Sequence, residues 1–162
     1  LGAISYFSQD FERLKKEMLD LISYYPNYAP AYDWLGMAYI QLQEFDNSIE
    51  AYEKATSLSG GLAEILGGLG HAYGIAGNEK EAKRVLNKMN DYSQKFYIPP
   101  VQIAFVYAGL NDVDNTLRLL ERAYSEKSWE LIFMRTEPWF QHLHSDPRFE
   151  SIISRMKFPM NS

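Results

Sequence analysis

The sequence predicts an all-α fold: antiparallel helix pairs stacked into a solenoid, ending in a C-terminal helical cap. Three observations carry this. A 34-residue register runs along the chain as Tyr32-x-x-Leu35-Gly36-x-x-Tyr39, Leu66-x-x-Leu69-Gly70-x-x-Tyr73 and Pro100-x-x-Ile103-Ala104-x-x-Tyr107. Within each unit apolar residues return at three- and four-residue steps, the spacing of one helix face. After Lys127 the register fails, and Pro138 falls where Gly36, Gly70 and Ala104 stood.

Taken in order, residues 1–7 read as the tail of a first helix, with Ser8 and Asp10 able to cap the next. Phe11, Leu14, Met18, Leu21, Ile22 and Tyr25 form one helical stripe, and Pro26 stops it. Residues 29–42 form an up-going helix carrying Tyr32, Leu35, Ala38, Tyr39 and Leu42 on a stripe. A turn at Glu44-Phe45-Asp46 leads to a return helix that runs to about Leu58. Ser59-Gly60-Gly61 ends it, since glycine tolerates the positive φ of a helix end.

Residues 62–76 form the next up-going helix, with glycine at 67, 68, 70 and 74. Interior glycine costs ~1 kcal/mol relative to alanine. Only Gly70 has a packing reason in the register, so this helix is expected to be the softest, unless something approaches it closely. Asn78-x-x-Glu81 predicts a capping box for a return helix from Glu79 to about Tyr92. Pro99-Pro100 open the next helix, through Leu110, and a return helix reaches about Glu126. Short helices are expected at 129–135, 138–143 and 146–156, the last with Asp146-Pro147 as cap and first turn. Their apolar residues, Trp139, Phe140, Phe149, Ile152 and Ile153 among them, are enough to seal a solenoid end.

The register has a steric logic. Antiparallel helices approach closely only where small residues meet. Gly36, Gly70 and Ala104 supply these on the first helix of each pair, and Ser48, Ala82 and Thr116 on the second. Tyr39, Tyr73 and Tyr107, then Tyr52, Leu86 and Leu120, fill the surrounding holes. Ala55 and Ala123 let the next unit dock, whereas the bulkier Met89 predicts an altered stacking between the second and third full units.

This pattern resembles the tetratricopeptide repeat, whose outline is W-x-x-L-G-x-x-Y…A-x-x-x-F…P. The resemblance implies a right-handed superhelix over residues 1–126, divided at about 1–28, 29–62, 63–96 and 97–126, with residues 127–162 as the cap. Tyr32, Leu66 and Pro100 replace the tryptophan, and the terminal proline is missing after the second and third full units. A narrower resemblance rests on Gly70-His-Ala-Tyr-Gly-Ile-Ala-Gly77, Tyr97-Ile-Pro-Pro, Leu120-Glu-Arg-Ala-Tyr124 and Asp146-Pro147-Arg148-Phe149. These look like the C-terminal repeat region of bacterial multidomain signalling proteins. There, such arrays follow a winged-helix, nucleotidyl cyclase or kinase domain, which implies a regulatory or docking role. Leu1-Gly2 stands 34 residues before Leu35-Gly36, so the chain is expected to be a piece of a longer protein.

Charge and composition exclude several functions. The formal net charge is −5 and no long basic run occurs, so nucleic-acid binding through this segment is disfavoured, phosphate attraction having no footprint. No stretch reaches the ~18 apolar residues of a membrane span. With no cysteine, disulfides, thiolate metal sites and a cysteine nucleophile are excluded. Gly67-Gly68-x-Gly70 lacks the strand and the Lys-Ser/Thr of a phosphate loop. His142-x-His144-x-Asp146 lacks the further ligands of a metal hydrolase, and Asp146 reads as a helix cap. Asp112-Val-Asp114-Asn115 reads as a turn and cap, without the glycine and distal glutamate of a calcium loop. No nucleophile, base and orienting group can be assembled. No enzymatic activity and no cofactor or metal are expected of this chain, though a longer parent could carry a separate cyclase domain.

The inner wall of such a superhelix is lined by the first helix of each pair. The candidate binding residues are therefore Asp33, Met37, Ile40 and Gln41, then Glu64, His71 and Ile75, then Val101 and Phe105, with Tyr6 at the near end. This mostly apolar wall is expected to take an apolar or amphipathic peptide, or to be filled by the chain's own C-terminal helices or by nothing. Some repeat proteins of the resembled family clamp a carboxylate terminus with paired Lys and Asn here; Asp33 and Met37 stand in those places and disfavour that ligand. The expected function is non-catalytic protein–protein interaction, or self-association, in the cytoplasm. The alternative is a small-molecule sensor whose pocket uses the glycine-rich helix and His71.

Overall fold

Every 34 residues the backbone turns left-handed. In the computed structural model, which describes residues 2–156, Gln9, Gln43, Gly77 and Asn111 have φ of 60°, 61°, 79° and 55°. Leu1 of the Leu1-Gly2 pair and residues 157–162 lie outside the described residues. After each left-handed residue the next N–H reaches back five positions. Asp10, Glu44, Asn78 and Asp112 donate to the carbonyls of Ser5, Tyr39, Tyr73 and Tyr107 at 2.8–2.9 Å. This bond satisfies a carbonyl that the helix end would leave unpaired. The 34-residue register is thus written in the backbone as well as in side-chain size.

These turns join helix pairs. α1 (Gly2–Phe7) and α2 (Phe11–Tyr24) form the first, α3 (Ala29–Gln41) and α4 (Phe45–Ser59) the second. α5 (Ala63–Ile75) and α6 (Glu79–Ser93) follow, then α7 (Pro100–Gly109) and α8 (Val113–Ser125). Two 3-10 helices, Trp129–Phe133 and Pro138–Leu143, lead to α9 (Pro147–Arg155). No strand occurs among the described residues. The segments at 129 and 138 are expected as helices, and both are 3-10 rather than α. Asp10, Asp112 and Asp146 cap as their sequence context predicts, accepting from the N–H of Arg13, Asn115 and Arg148. The capping box at Asn78 does not form: its side chain makes no cap bond, and Glu81 turns outward to Arg84.

Gly36, Gly70 and Ala104 are all buried at helix contacts, and so are Ser48, Ala82 and Thr116. Ser48 Oγ donates to the Gly36 carbonyl across the α3–α4 crossing at 2.9 Å. A methyl group on Gly36 would stand 2.5 Å from the Tyr52 ring, which is wholly buried.

Of the two expectations for α5, softness or close approach, the structure shows close approach: every one of its glycines meets a neighbour. Tyr52 presses its other edge against Gly68, where a Cβ would come within 2.3 Å of the ring. Gly67 faces the Gln102 carbonyl, Gly70 faces Val106, and Gly74 faces the Gly109 backbone, where a Cβ would stand 2.5 Å from the carbonyl carbon. Gly109 in turn meets the His71 backbone. Helices α5 and α7 therefore cross almost backbone to backbone, a contact only glycine permits. As a result α7 leans on α5 and touches α6 little, whereas α3 packs on α2 and α5 on α4. Stacking does change between the second and third full units. The geometry ties this to the α5 glycines; Met89 is simply buried in the core beside Ala55 and Val85.

The C-terminal segment divides its apolar mass. Phe149, Ile152 and Ile153 on α9 join Leu117, Leu120 and Ala123 of α8 in one buried cluster, sealing the last pair. The 3-10 helices turn the other way, back along the inner wall.

Candidate functional site, an inner wall already occupied

The inner wall is formed by α3, α5 and α7, and the second 3-10 helix lies against it. Its local geometry is set by sequence. Glu137 caps it through the Trp139 N–H, and Pro138 supplies the first turn, where its missing N–H costs nothing. The cap projects Trp139 and Phe140 onto the wall. Trp139 lies flat on His71, with centroids 4.3 Å apart and planes 8° from parallel. Phe105 meets Trp139 edge-on at 4.7 Å and stacks on Phe140 at 5.1 Å.

The ring of contacts closes at the near end of the wall. Tyr6, 1% exposed, donates its O–H to Glu137 Oε1 at 2.6 Å. Phe7 stacks on Phe133 at 5.1 Å. Helix α1 and the C-terminal segment, 131 residues apart in sequence, therefore meet. Burial pushes the Glu137 carboxyl above its usual range, against the pull of the Tyr6 hydroxyl and the Trp139 N–H.

The predicted wall residues separate into groups. His71, Val101 and Phe105 lie together beneath the C-terminal segment. His71 is 4% exposed, and its Nδ1 lies 2.8 Å from the Phe105 carbonyl. A carbonyl only accepts, so Nδ1 carries the proton and donates. Burial lowers the His71 pKa to about 4, so the imidazole is neutral near pH 7. Met37 is half-buried and shares a cleft with Val101 and Phe105. Ile40 is buried in the core with Tyr52 and Ala55 rather than facing the groove. Gln41 and Ile75 sit half-buried at the turn ends of their helices. Glu64 is exposed, on the rim of an apolar cleft of about 670 Å³ with Leu62, Phe96 and Tyr97. Asp33 is half-buried and in none of the ion pairs among the described residues. Burial and the Glu64 carboxylate raise its pKa to about 7.

Sequence reasoning assigns Trp139 and Phe140 to the end seal and does not single out Glu137 or Gln102. The available signal is Glu137-Pro138-Trp139-Phe140 itself: a cap, a first-turn proline and two large rings just where the register breaks. The remaining charged motifs are structural. Asp146 and Asp114 hold Arg148, and Asp112 caps α8. Among the described residues no group of three His, Asp or Glu side chains could hold a metal, and no helix is long and apolar enough to cross a membrane.

Fold and wall together define a solenoid of helix pairs of the tetratricopeptide-repeat kind. The family model of the tetratricopeptide repeat matches residues 29–61. The crystal structure of a tetratricopeptide repeat protein from Parabacteroides merdae superposes with a TM-score of 0.57 at 15% identity, a likeness of fold alone. The superposition covers 96% of this chain and 61% of that one. No curated protein sequence matches the chain.

Proposed function

We propose that this chain is a non-catalytic protein-interaction module whose inner wall takes an aromatic peptide segment, with its own residues 129–143 as the resident occupant. The stacking of Trp139 on His71 carries this reading, because it displays the kind of ligand the wall accommodates. Tetratricopeptide repeats generally bind proteins, and this wall offers flat apolar surface with no cation to pair with a carboxylate terminus. The indole N–H of Trp139 is buried without an acceptor among the described residues. The wall therefore rewards a ring and not a tryptophan hydrogen bond.

In this reading residues 1–126 are the repeats and 127–162 the cap, and a partner displaces the 3-10 helices to reach His71 and Phe105. The module belongs to a larger bacterial signalling protein in the cytoplasm, such as an adenylate cyclase or a transcriptional regulator. The narrower sequence resemblance supports that parentage. The test uses a labelled peptide of sequence Glu-Pro-Trp-Phe-Gln-His-Leu, read by fluorescence anisotropy. The Trp139→Ala chain, its wall vacated, binds this peptide about tenfold tighter than the unaltered chain, which must first expel its own segment. Equal affinities for the two chains would remove the competition and the wall as the peptide site.

A further inference from the structure

Between α1, the inner wall and the first 3-10 helix lies a partly open cavity of about 120 Å³. That is close to the volume of apolar cavities that take a benzene-sized guest. Aromatic residues dominate its lining: Tyr6, Trp34, Phe105 and Phe140, with Phe7 and Phe133 at the lip. Two carboxylates, Glu130 and Glu137, also line it, and no Lys, Arg or His does.

Glu137 is 8% exposed, and both of its hydrogen bonds, from Tyr6 Oη and Trp139 N, fall on Oε1. Its Oε2 has no donor among the described residues. Neither Glu130 nor Glu137 takes part in an ion pair there. Gln102, 6% exposed, also lines the cavity and makes no side-chain hydrogen bond to a described residue. A largely buried carboxylate among aromatic side chains, with one oxygen that accepts no hydrogen bond from a described residue and no counter-charge paired with it, is favoured by an added cation.

We propose that this cavity binds a compact organic ammonium group, with Glu137 as its counter-ion and the rings of Tyr6, Trp34, Phe105 and Phe140 as its cage. Ring faces carry negative potential and hold a cation within about 6 Å of the centroid. A quaternary or alkylated ammonium suits such a cage better than a metal ion, because its methyl groups fill apolar volume while its charge is spread. An anion would meet two carboxylates and no cationic side chain. The cavity exists only while Glu137 and Phe140 lie on the wall, so an ammonium guest holds the closed form together. The ammonium belongs either to a free small molecule or to an alkylated lysine of a partner protein.

Isothermal titration calorimetry of the whole chain decides. The probes are tetramethylammonium, tert-butanol as a neutral guest of similar size, and a short peptide bearing trimethyl-lysine, with ionic strength held by sodium chloride. Tetramethylammonium binds saturably, and tert-butanol binds at least about tenfold more weakly. Glu137→Gln weakens tetramethylammonium by a similar factor. Glu130→Gln, at a half-buried position away from the Tyr6 hydrogen bond, weakens it by a smaller one and serves if Glu137→Gln loses the helical circular-dichroism signal. Tighter binding of the peptide assigns the ammonium to a protein side chain, and tighter binding of the free ion assigns it to a small molecule; both uphold the site. No saturation by either cation, equal binding of tert-butanol, or full affinity in both glutamine variants would overturn it. None of these results depends on the peptide competition at His71, which can fail or succeed separately.

Discussion

Trp139 covers His71 face to face at 4.3 Å, so the imidazole is sealed from water by a residue 68 positions away in the chain. Burial holds the imidazole neutral, with its pKa lowered from 6.5 to about 4. Between those two pH values the unfolded chain takes up a proton that the folded chain refuses. The stability owed to this group is fully present above pH 6.5 and is lost as pH falls towards 4. Trp139→Ala lets water reach the ring, and the His71 pKa is expected to rise back towards its ordinary value in the variant. Proton NMR titration of the imidazole measures this directly. The variant also loses about 3–5 kcal/mol of stability for the vacated ring volume. A His71 that still titrates near 4 in the variant would show that Trp139 is not what seals it.

Tyr6 and Glu137 tie α1 to the C-terminal segment. Replacing Tyr6 by Phe keeps the ring and removes the donor, leaving the buried carboxylate with only the long bond from Trp139 N, 3.4 Å. The expected loss is about 1–3 kcal/mol in urea denaturation. Burial already raises the Glu137 pKa, and the Tyr6 hydroxyl opposes that rise. Without it the folded-state value climbs further. A raised carboxyl contributes stability at low pH that is lost as pH rises through its folded value. The Tyr6→Phe deficit should therefore be larger at pH 8 than at pH 5. A deficit that does not grow with pH would mean the hydroxyl does not hold this carboxylate ionised.

The glycines of α5 invert a simple sequence rule, and their substitutions say so quantitatively. Alanine at an interior helix position gains ~1 kcal/mol of propensity. At Gly74 the new methyl meets the Gly109 backbone, which cannot rotate away, and a net loss of about 1–3 kcal/mol is expected. At Gly68 the obstacle is the Tyr52 ring, so Gly68→Ala is expected to cost less in a Tyr52→Leu background than alone. Thermal unfolding of the single and double variants checks both. Hydrogen exchange provides a third reading: the amides of residues 65–72, all buried, should be among the slowest in the chain.

The same helix shows what was legible in the sequence. The register placed α2 to α8 within a residue or two, because side-chain size at Gly36, Gly70 and Ala104 and the turn residues are local signals. Composition alone made α5 look weak. The packing of α7 on it reverses that reading, and the reason lies 35 residues downstream in the pairing of Gly74 with Gly109. The wall itself was half legible. Periodicity points to His71, Val101 and Phe105, which lie beneath the C-terminal segment, whereas Ile40 turns into the core against Ile65 and Leu69 of α5. The 129–143 segment follows no repeat, so nothing periodic says which surface it covers; only the capped Glu137-Pro138 turn aims Trp139 and Phe140.

Asp33 gives the sharpest pH prediction. It is half-buried on α3 and is in no ion pair among the described residues; burial first, and the Glu64 carboxylate second, lift its pKa from 3.8 to about 7. The folded chain therefore holds a proton here between pH 4 and 7 that the unfolded chain releases. Stability from this group is present below pH 4 and declines as pH rises through 7, opposite in sign to the His71 effect over the same window. Asp33→Asn removes the ionising group while keeping its shape. The variant should match the unaltered chain near pH 4 and exceed it by about 1–2 kcal/mol at pH 8, after allowance for screening at the half-exposed edge. Chemical denaturation at the two pH values separates the outcomes. A variant less stable at pH 8 would mean that the Asp33 carboxylate is held by a favourable contact and is not a strained charge on the wall.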